Sequence, residues 1–378
     1  MKKIPLFKPK FRVNEVLSEI KECLDIGWTG IGYKTDQFES LWCDYTGLSN
    51  CHFLNSATAG LHLAVNIFKK EFNWEDGDEI ITSPMTFVSA NHAILYESLT
   101  PVFSDIDRSL CLDPAKLTES ITNKTRAVIY VGIGGNSANF KEIVKICKQN
   151  DLVLILDAAH MAGTKWASNG THVGSEADCV VFSYQAVKNC PTSDSGSICF
   201  KDRKLDLKAR KLSWLGISEN TYNRAKKNGY KWDYDVDDLG YKYNGNSVSA
   251  AMAITALKYL DEDNQKRGYI SDCYSAAIER TDTIELIEHD KNIISPRHLC
   301  QIVVDQRDEF VDYMSNLGIS CGVHYKPNNR LNIYKKFDRG NLIFLKSIAD
   351  RLVSLPLYVD MSDEDIEFVT QSILKFNR

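Results

Sequence analysis

The chain has 378 residues, 44% of them hydrophobic and 25% charged, with a net charge of −5. This length buries a large core and predicts two domains, and the small acidic excess gives no electrostatic reason to expect nucleic acid or an anionic membrane as partner. No segment approaches the roughly 18 continuous apolar residues of a membrane span, and Lys8 and Lys10 interrupt the only region where an apolar h-region would lie, so no signal peptide is expected.

In chain order, Val13, Val16, Leu17, Ile20 and Leu24 recur at helical spacing and predict a helix over 13–26. A glycine-broken loop, Trp28-Thr-Gly-Ile-Gly-Tyr33, leads to a second helix from Asp36 to Tyr45 that stops at Gly47. Apolar runs at 79–83, 101–103, 126–131, 152–156 and 179–183 are expected as strands, alternating with helices at 58–70, 86–97 and 140–149. That alternation predicts an α/β unit with a mainly parallel sheet. Residues 203–240 have weak periodicity and are expected as an extended surface or subunit-contact region. A helix follows over Asn246–Leu260, then a smaller α+β unit with a strand at 298–304, a helix at 307–317, a strand near 319–324 and a helix at 362–376. The division expected is a large domain over 1–245 and a small C-terminal domain over 246–378. The eleven cysteines are odd in number and form no C-x-x-C pair. They are expected as reduced, packed thiols of a cytoplasmic protein, with no metal site.

The residues that carry chemistry begin with Asp157 and Lys188. Each ends an apolar run, Leu152-Val-Leu-Ile-Leu-Asp157 and Val180-Val-Phe-Ser-Tyr-Gln-Ala-Val-Lys188, and 31 positions separate them. That is room for strand, connection and strand, so both can project into one crevice at the carboxyl ends of parallel strands. Pyridoxal phosphate requires such a pair: an amine that condenses with its aldehyde and an acid that keeps its pyridine nitrogen protonated. Each residue also has an ordinary reading, Asp157 as a helix cap and Lys188 as a surface lysine. Asn55-Ser-Ala-Thr-Ala-Gly-Leu61 turns abruptly helical, which leaves backbone N–H groups open to a phosphate. Ser56 and Thr58 would cap the same helix without one. His160 can touch the cofactor ring or its O3′ oxygen, or be a buried structural histidine. Phe87 can stack on the ring or belong to the core, and Ser183 is a further candidate for the phosphate.

Taken in order, these segments resemble the DegT/DnrJ/StrS family of sugar aminotransferases. The resemblance runs through Thr29-Gly30, Asn55–Leu61, Thr86-Phe-Val88, Pro101–Asp107, Asp157-Ala-Ala-His160, Phe182–Asn189, Gly240-Tyr-Lys-Tyr-Asn244, Val323-His-Tyr325 and Ser354-Leu-Pro-Leu-Tyr358. It implies a fold-type-I pyridoxal-phosphate transferase, α/β in class, that works as a homodimer with a shared active site. By motif position Lys188 looks like the Schiff-base lysine and Asp157 like the partner of the pyridine nitrogen. Ser56, Ala57, Thr58 and Ser183 correspond to the phosphate cradle, Phe87 to the stacking aromatic and His160 to the residue beside the ring. Lys242 lies where members carry Asn or Lys that reaches the neighbouring subunit's phosphate. The reaction implied moves an amino group from an amino acid, L-glutamate by resemblance, to a keto-sugar. A nucleotide-linked 4-keto sugar for surface polysaccharide, lipopolysaccharide or other glycoconjugate synthesis is the expected acceptor.

The chain departs from the pattern in four places. Val131-Gly-Ile-Gly-Gly135 stands where His-Leu-Tyr-Gly is common, Ser183-Tyr-Gln185 where Ser-Phe-His is usual, Leu215-Gly216 for His-Gly, and Ser195-Gly196 for Gly-Gly. Losing a histidine ring and a tyrosine phenol at the first of these is expected to open space near the substrate. That keeps a smaller ketone substrate as an alternative, beside a regulator that binds the cofactor without turnover.

Overall fold

The computed structural model describes residues 3–217 and 234–376. Its first strands are β1 (His52–Leu54), β2 (Glu79–Thr82), β3 (Thr100–Phe103), β4 (Thr125–Val131), β5 (Val153–Asp157), the short β6 (Lys165–Trp166), β7 (Cys179–Ser183) and β8 (Gly196–Phe200). Seven of them form one sheet in the order β1-β8-β7-β5-β4-β2-β3. β3, β2, β4, β5 and β7 run parallel, while β8 is reversed and pairs antiparallel with both β7 and β1, so β1 points the same way as the first five. The mainly parallel sheet expected from the alternation of runs is present.

Burial on both faces explains why these strands are nearly continuous apolar runs. Along β4, Ala127, Ile129 and Val131 enter one core, and Val128 and Tyr130 enter the other, the period of two of a strand. The first core is closed by α3 (Ala57–Glu71) and α4 (Val88–Tyr96), the second by α2 (Tyr33–Thr46) and α6 (Phe140–Gln149). α1 (Val13–Ile26) lies at the start of the chain and the short α5 (Pro114–Ser120) between β3 and β4. Gly27 and Gly47 end α1 and α2 in the left-handed conformation, which a residue without Cβ adopts at no steric cost.

Several expectations need correction. Residues Arg203–Ser213, expected as part of an extended surface or subunit-contact region, form a helix, α7, whose Leu205, Ala209 and Leu212 pack beside α3. Its charged residues dominate the sequence and hide the apolar stripe. The remainder of that region, 218–233, lies outside the described residues. The helix expected over 246–260 is α8 (Ser247–Lys258), capped by Asn246, and the chain continues at once into α9 (Leu260–Ile278), which the sequence reading passed over. Residues 319–324 form no strand; Ile319 and Gly322 make only isolated bridges, to Ile4 and Ser354. The stripe that identified α1 is only partly used for packing: Val16 and Cys23 are buried, while Val13, Leu17 and Leu24 are 59%, 58% and 61% exposed.

The C-terminal sheet holds β9 (Ile284–Leu286), β11 (Cys300–Val304) and β12 (Leu352–Leu355), all antiparallel in the order β12-β11-β9. The two-residue β10 (Ile293–Ile294) pairs with β6 instead. α9, α10 (Arg307–Asn316) and α12 (Asp363–Lys375) cover this sheet, and α11 (Ile343–Ile348) joins the core of the large sheet. Ile4 reaches from the N-terminus into the C-terminal core.

Candidate active site

β5 and β7 are adjacent and parallel, with Asp157 opposite Val181, so their carboxyl ends open into the same crevice. A cavity of about 400 Å³ lies there, within the range of small-molecule sites. Asp157 is buried and lines it, with one carboxylate oxygen accepting the Ala159 N–H at 3.1 Å. Burial raises its pKa to about 6, against the opposing pulls of that N–H and of Lys188.

Lys188 also lines the cavity, but not from a strand end. β7 stops at Ser183, and a loop carries the chain five residues further. Burial lowers the Lys188 pKa to about 8, with Asp157 opposing. The two groups feel each other's charge, yet no ion pair of 4.0 Å or less joins them. A buried acid and a half-buried amine facing one space without pairing is an unstable arrangement unless something else fills that space.

The third wall is the N-terminus of α3. Ser56 caps it, its Oγ accepting from Ala59 N at 3.1 Å. The N–H groups of Ala57 and Thr58 donate to no group among the described residues, and both residues border the cavity, the arrangement that suits a phosphate. Thr58 Oγ1 is 2.8 Å from Ser89 Oγ on α4, and Ser183 closes the cradle from β7. Gly196 is required here: a Cβ would stand 2.5 Å from Ala57 N, so only glycine lets β8 pass this close. An open anion cradle, a separated acid and an amine with a depressed pKa fit pyridoxal phosphate.

The structure brings Ser56, Ala57, Thr58, Asp157, His160, Ser183 and Lys188 together. Phe87 borders the same cavity but is 59% exposed, with its ring centre 5.9 Å from that of Tyr325. Lys242 lies apart from the cavity. It is exposed, with Nζ 3.2 Å from the centre of the Trp214 ring, and it is held beside Asn55 by a 3.1 Å bond to its carbonyl.

His160 has a defined protonation pattern. The Gly134 N–H donates to its Nδ1 at 3.2 Å, so Nε2 carries the proton and faces Tyr325 Oη at 3.2 Å. Burial, Lys188 and His324 hold its pKa well below the ordinary value, so the ring is neutral. Tyr325 and His324 line the cavity from the C-terminal part of the chain, and Gln185 and Asp194 from the lysine loop. Sequence reading gave none of these four a role. Tyr325 and Gln185 stand in segments singled out for resemblance or departure, but no spacing ties them to Asp157.

Of the segment expected to open space, Val131 and Gly132 border the cavity, but the volume directly over the Gly132 and Gly135 Cα atoms is occupied. A Cβ on Gly132 would meet Met161 Sδ at 1.9 Å, and one on Gly135 would meet the Pro296 ring at 2.9 Å. Met161, fully buried, occupies the volume that a larger residue at 132 would need. Gly132→Ala is therefore expected to destabilise the fold by about 1–3 kcal/mol, as overpacking does, and adding Met161→Ala should recover part of that loss. Urea unfolding of the single and double variants checks this; additive losses would contradict it.

Comparison with known proteins agrees with the site. The model of the DegT/DnrJ/EryC1/StrS aminotransferase family matches residues 12–374. Spore coat polysaccharide biosynthesis protein SpsC of Bacillus subtilis is 33% identical over 371 residues, covering 95% of this chain and 93% of its own. The putative sugar aminotransferase Spr1654 of Streptococcus pneumoniae, solved in PMP and PLP forms, superposes in its PMP form with a TM-score of 0.91 at 27% identity, covering 99% of both chains. AtS13 of Actinomadura melliaura gives 0.90 at 26% identity, again over 99% of each chain. The chain belongs to the DegT/DnrJ/EryC1/StrS aminotransferase family and is a pyridoxal-phosphate-dependent sugar aminotransferase.

Proposed function

We propose that the enzyme transfers an amino group from L-glutamate to a nucleotide-linked 4-keto sugar, in the synthesis of a surface polysaccharide or other glycoconjugate, as a cytoplasmic homodimer with a shared active site. The observation that carries this reading is the separation of Lys188 from Asp157 across a cavity that ends in open N–H groups. Likeness to a spore coat polysaccharide biosynthesis protein supports the polysaccharide setting.

Pyridoxal phosphate, when bound, supplies an aldehyde that captures amines and a ring that withdraws electrons from the adjoining substrate carbon. Asp157 holds the proton on the pyridine nitrogen, and a buried carboxylate does so strongly because few other groups stabilise its charge. Ser56, Ala57, Thr58 and Ser183 hold the phosphate. Lys188, whose amine faces the cavity, would be the group that holds the cofactor's aldehyde and, once freed by the donor's amine, the base that takes the proton from the donor's Cα and the acid that gives it back. A pKa near 8 suits both directions of that transfer. His160 and Phe87, which both line the cavity, would lie against the ring. Lys242, outside its own chain's cavity, would reach the phosphate bound by the partner subunit. The overall balance is amino acid plus keto-sugar giving 2-oxo acid plus amino-sugar.

Half-reactions test the assignment. Incubation with L-glutamate should bleach the visible band of the lysine-linked cofactor and release 2-oxoglutarate. A subsequent nucleotide-linked 4-keto sugar should restore the band, whereas simple ketone phosphates should not. Restoration by the small ketones alone would overturn the substrate assignment, and bleaching by other amino acids but not glutamate would overturn the donor.

A further inference from the structure

His298, just before β11 in the C-terminal sheet, is 2% exposed and has no part in the chemistry described above. Three contacts tie it to the active site. Its N–H donates to Gly134 O at 3.1 Å, and Gly134 N–H in turn holds His160 Nδ1. Its ring lies 4.3 Å from that of His160, inclined by 31°, and Phe7 covers its other side at 6.0 Å. Its Nδ1 is 2.8 Å from Asn189 Oδ1. The direction of that bond is fixed: Asn189 spends both amide hydrogens on Asn264 Oδ1 at 2.7 Å and Pro296 O at 2.8 Å, so the imidazole must donate. Asn189 is the residue after Lys188.

The ring is neutral for a physical reason. Burial disfavours its charge, and His160, Lys188, Arg267 and His324 surround it with further positive or potentially positive groups. A neutral imidazole with its hydrogen on Nδ1 is a fixed, single donor, so it orients Asn189 without adding charge beside the lysine.

We propose that His298 is a positioning residue for amino transfer: its Nδ1–H anchors Asn189 and so the loop bearing Lys188, while its ring supports His160, so that one side chain from the C-terminal sheet aligns both groups. This rests on the roles given to Lys188 and His160 above. It makes the docking of the C-terminal sheet part of the alignment of the lysine.

Two substitutions separate the contacts. His298→Phe keeps a flat ring over His160 and removes the donor; His298→Gln keeps an N–H donor and removes the ring. Misplacing Lys188 should slow the glutamate half-reaction of His298→Phe about 10- to 100-fold with KM changed less than about threefold. His298→Gln should recover most of that rate. In the cofactor-free protein, the pH profile of Lys188 labelling by trinitrobenzenesulfonate, read by peptide mass spectrometry, should move in His298→Phe and return in His298→Gln. Unchanged rate and labelling profile in His298→Phe would overturn the proposal. So would equal loss in both variants accompanied by equal loss of thermal stability, which is what a purely structural residue gives. Because labelling is read without cofactor or turnover, its outcome is separate from the role of Lys188, which Lys188→Ala tests on its own.

Discussion

Lys188→Ala is expected to lose the visible band of the lysine-linked cofactor and to lose turnover by at least the roughly 10²- to 10⁴-fold that a positioned proton-transfer group contributes. The cofactor should still bind through the phosphate cradle, because Ala57, Thr58 and Ser183 are untouched. Binding followed by fluorescence or equilibrium dialysis would show this. In the unsubstituted, cofactor-free protein, the pKa of about 8 has its own consequence. Only the neutral amine attacks an aldehyde, so the rate of cofactor capture should rise as pH increases through about 8 and level off above it. Retained turnover in Lys188→Ala would end the assignment.

Asp157→Asn should separate stability from function. Burial moves the carboxyl from its ordinary 3.8 to about 6, so in the cofactor-free protein the folded state holds this proton to higher pH than the unfolded chain does. Stability from this group is therefore lost as pH rises from about 4 to about 6, and above that range its ionisation costs about 3 kcal/mol. Removing the charge should raise the melting temperature of the cofactor-free protein at neutral pH. The same change removes the partner of the pyridine nitrogen, and cofactor affinity should fall about 100- to 1,000-fold, as for a broken buried pair. Unsubstituted enzyme should bind its cofactor less tightly below about pH 6, and Asp157→Asn should lack that acidic limb. A variant that is less stable without cofactor, or that binds it undiminished, would contradict this account.

Much of the sheet was legible because parallel strands buried on both faces leave unbroken apolar runs. The run before Asp157 and the one around Val180–Phe182 are such strands, and their adjacency placed the acid at the crevice. What escaped has identifiable causes. α7 is dominated by Lys and Arg, so its three buried apolar residues carried too little signal. α9 follows α8 with one residue between them, so no turn chemistry announced a second helix. Long-range neighbours escaped most completely. Tyr325 meets His160 from 165 positions away, His298 meets Asn189 from 109, and no local pattern encodes either contact. The limit on space at Gly132 has the same origin: the segment borders the cavity, but the volume over the Gly132 Cα belongs to Met161, which follows the turn after Asp157.

The most direct measurement is borohydride reduction of the cofactor-loaded enzyme, followed by proteolysis and mapping of the cofactor-labelled peptide. A single label on Lys188, absent after prior treatment with L-glutamate, is the expected result. A label on any other lysine, or none on Lys188 before the donor is added, would contradict the central claim that this amine carries the transfer.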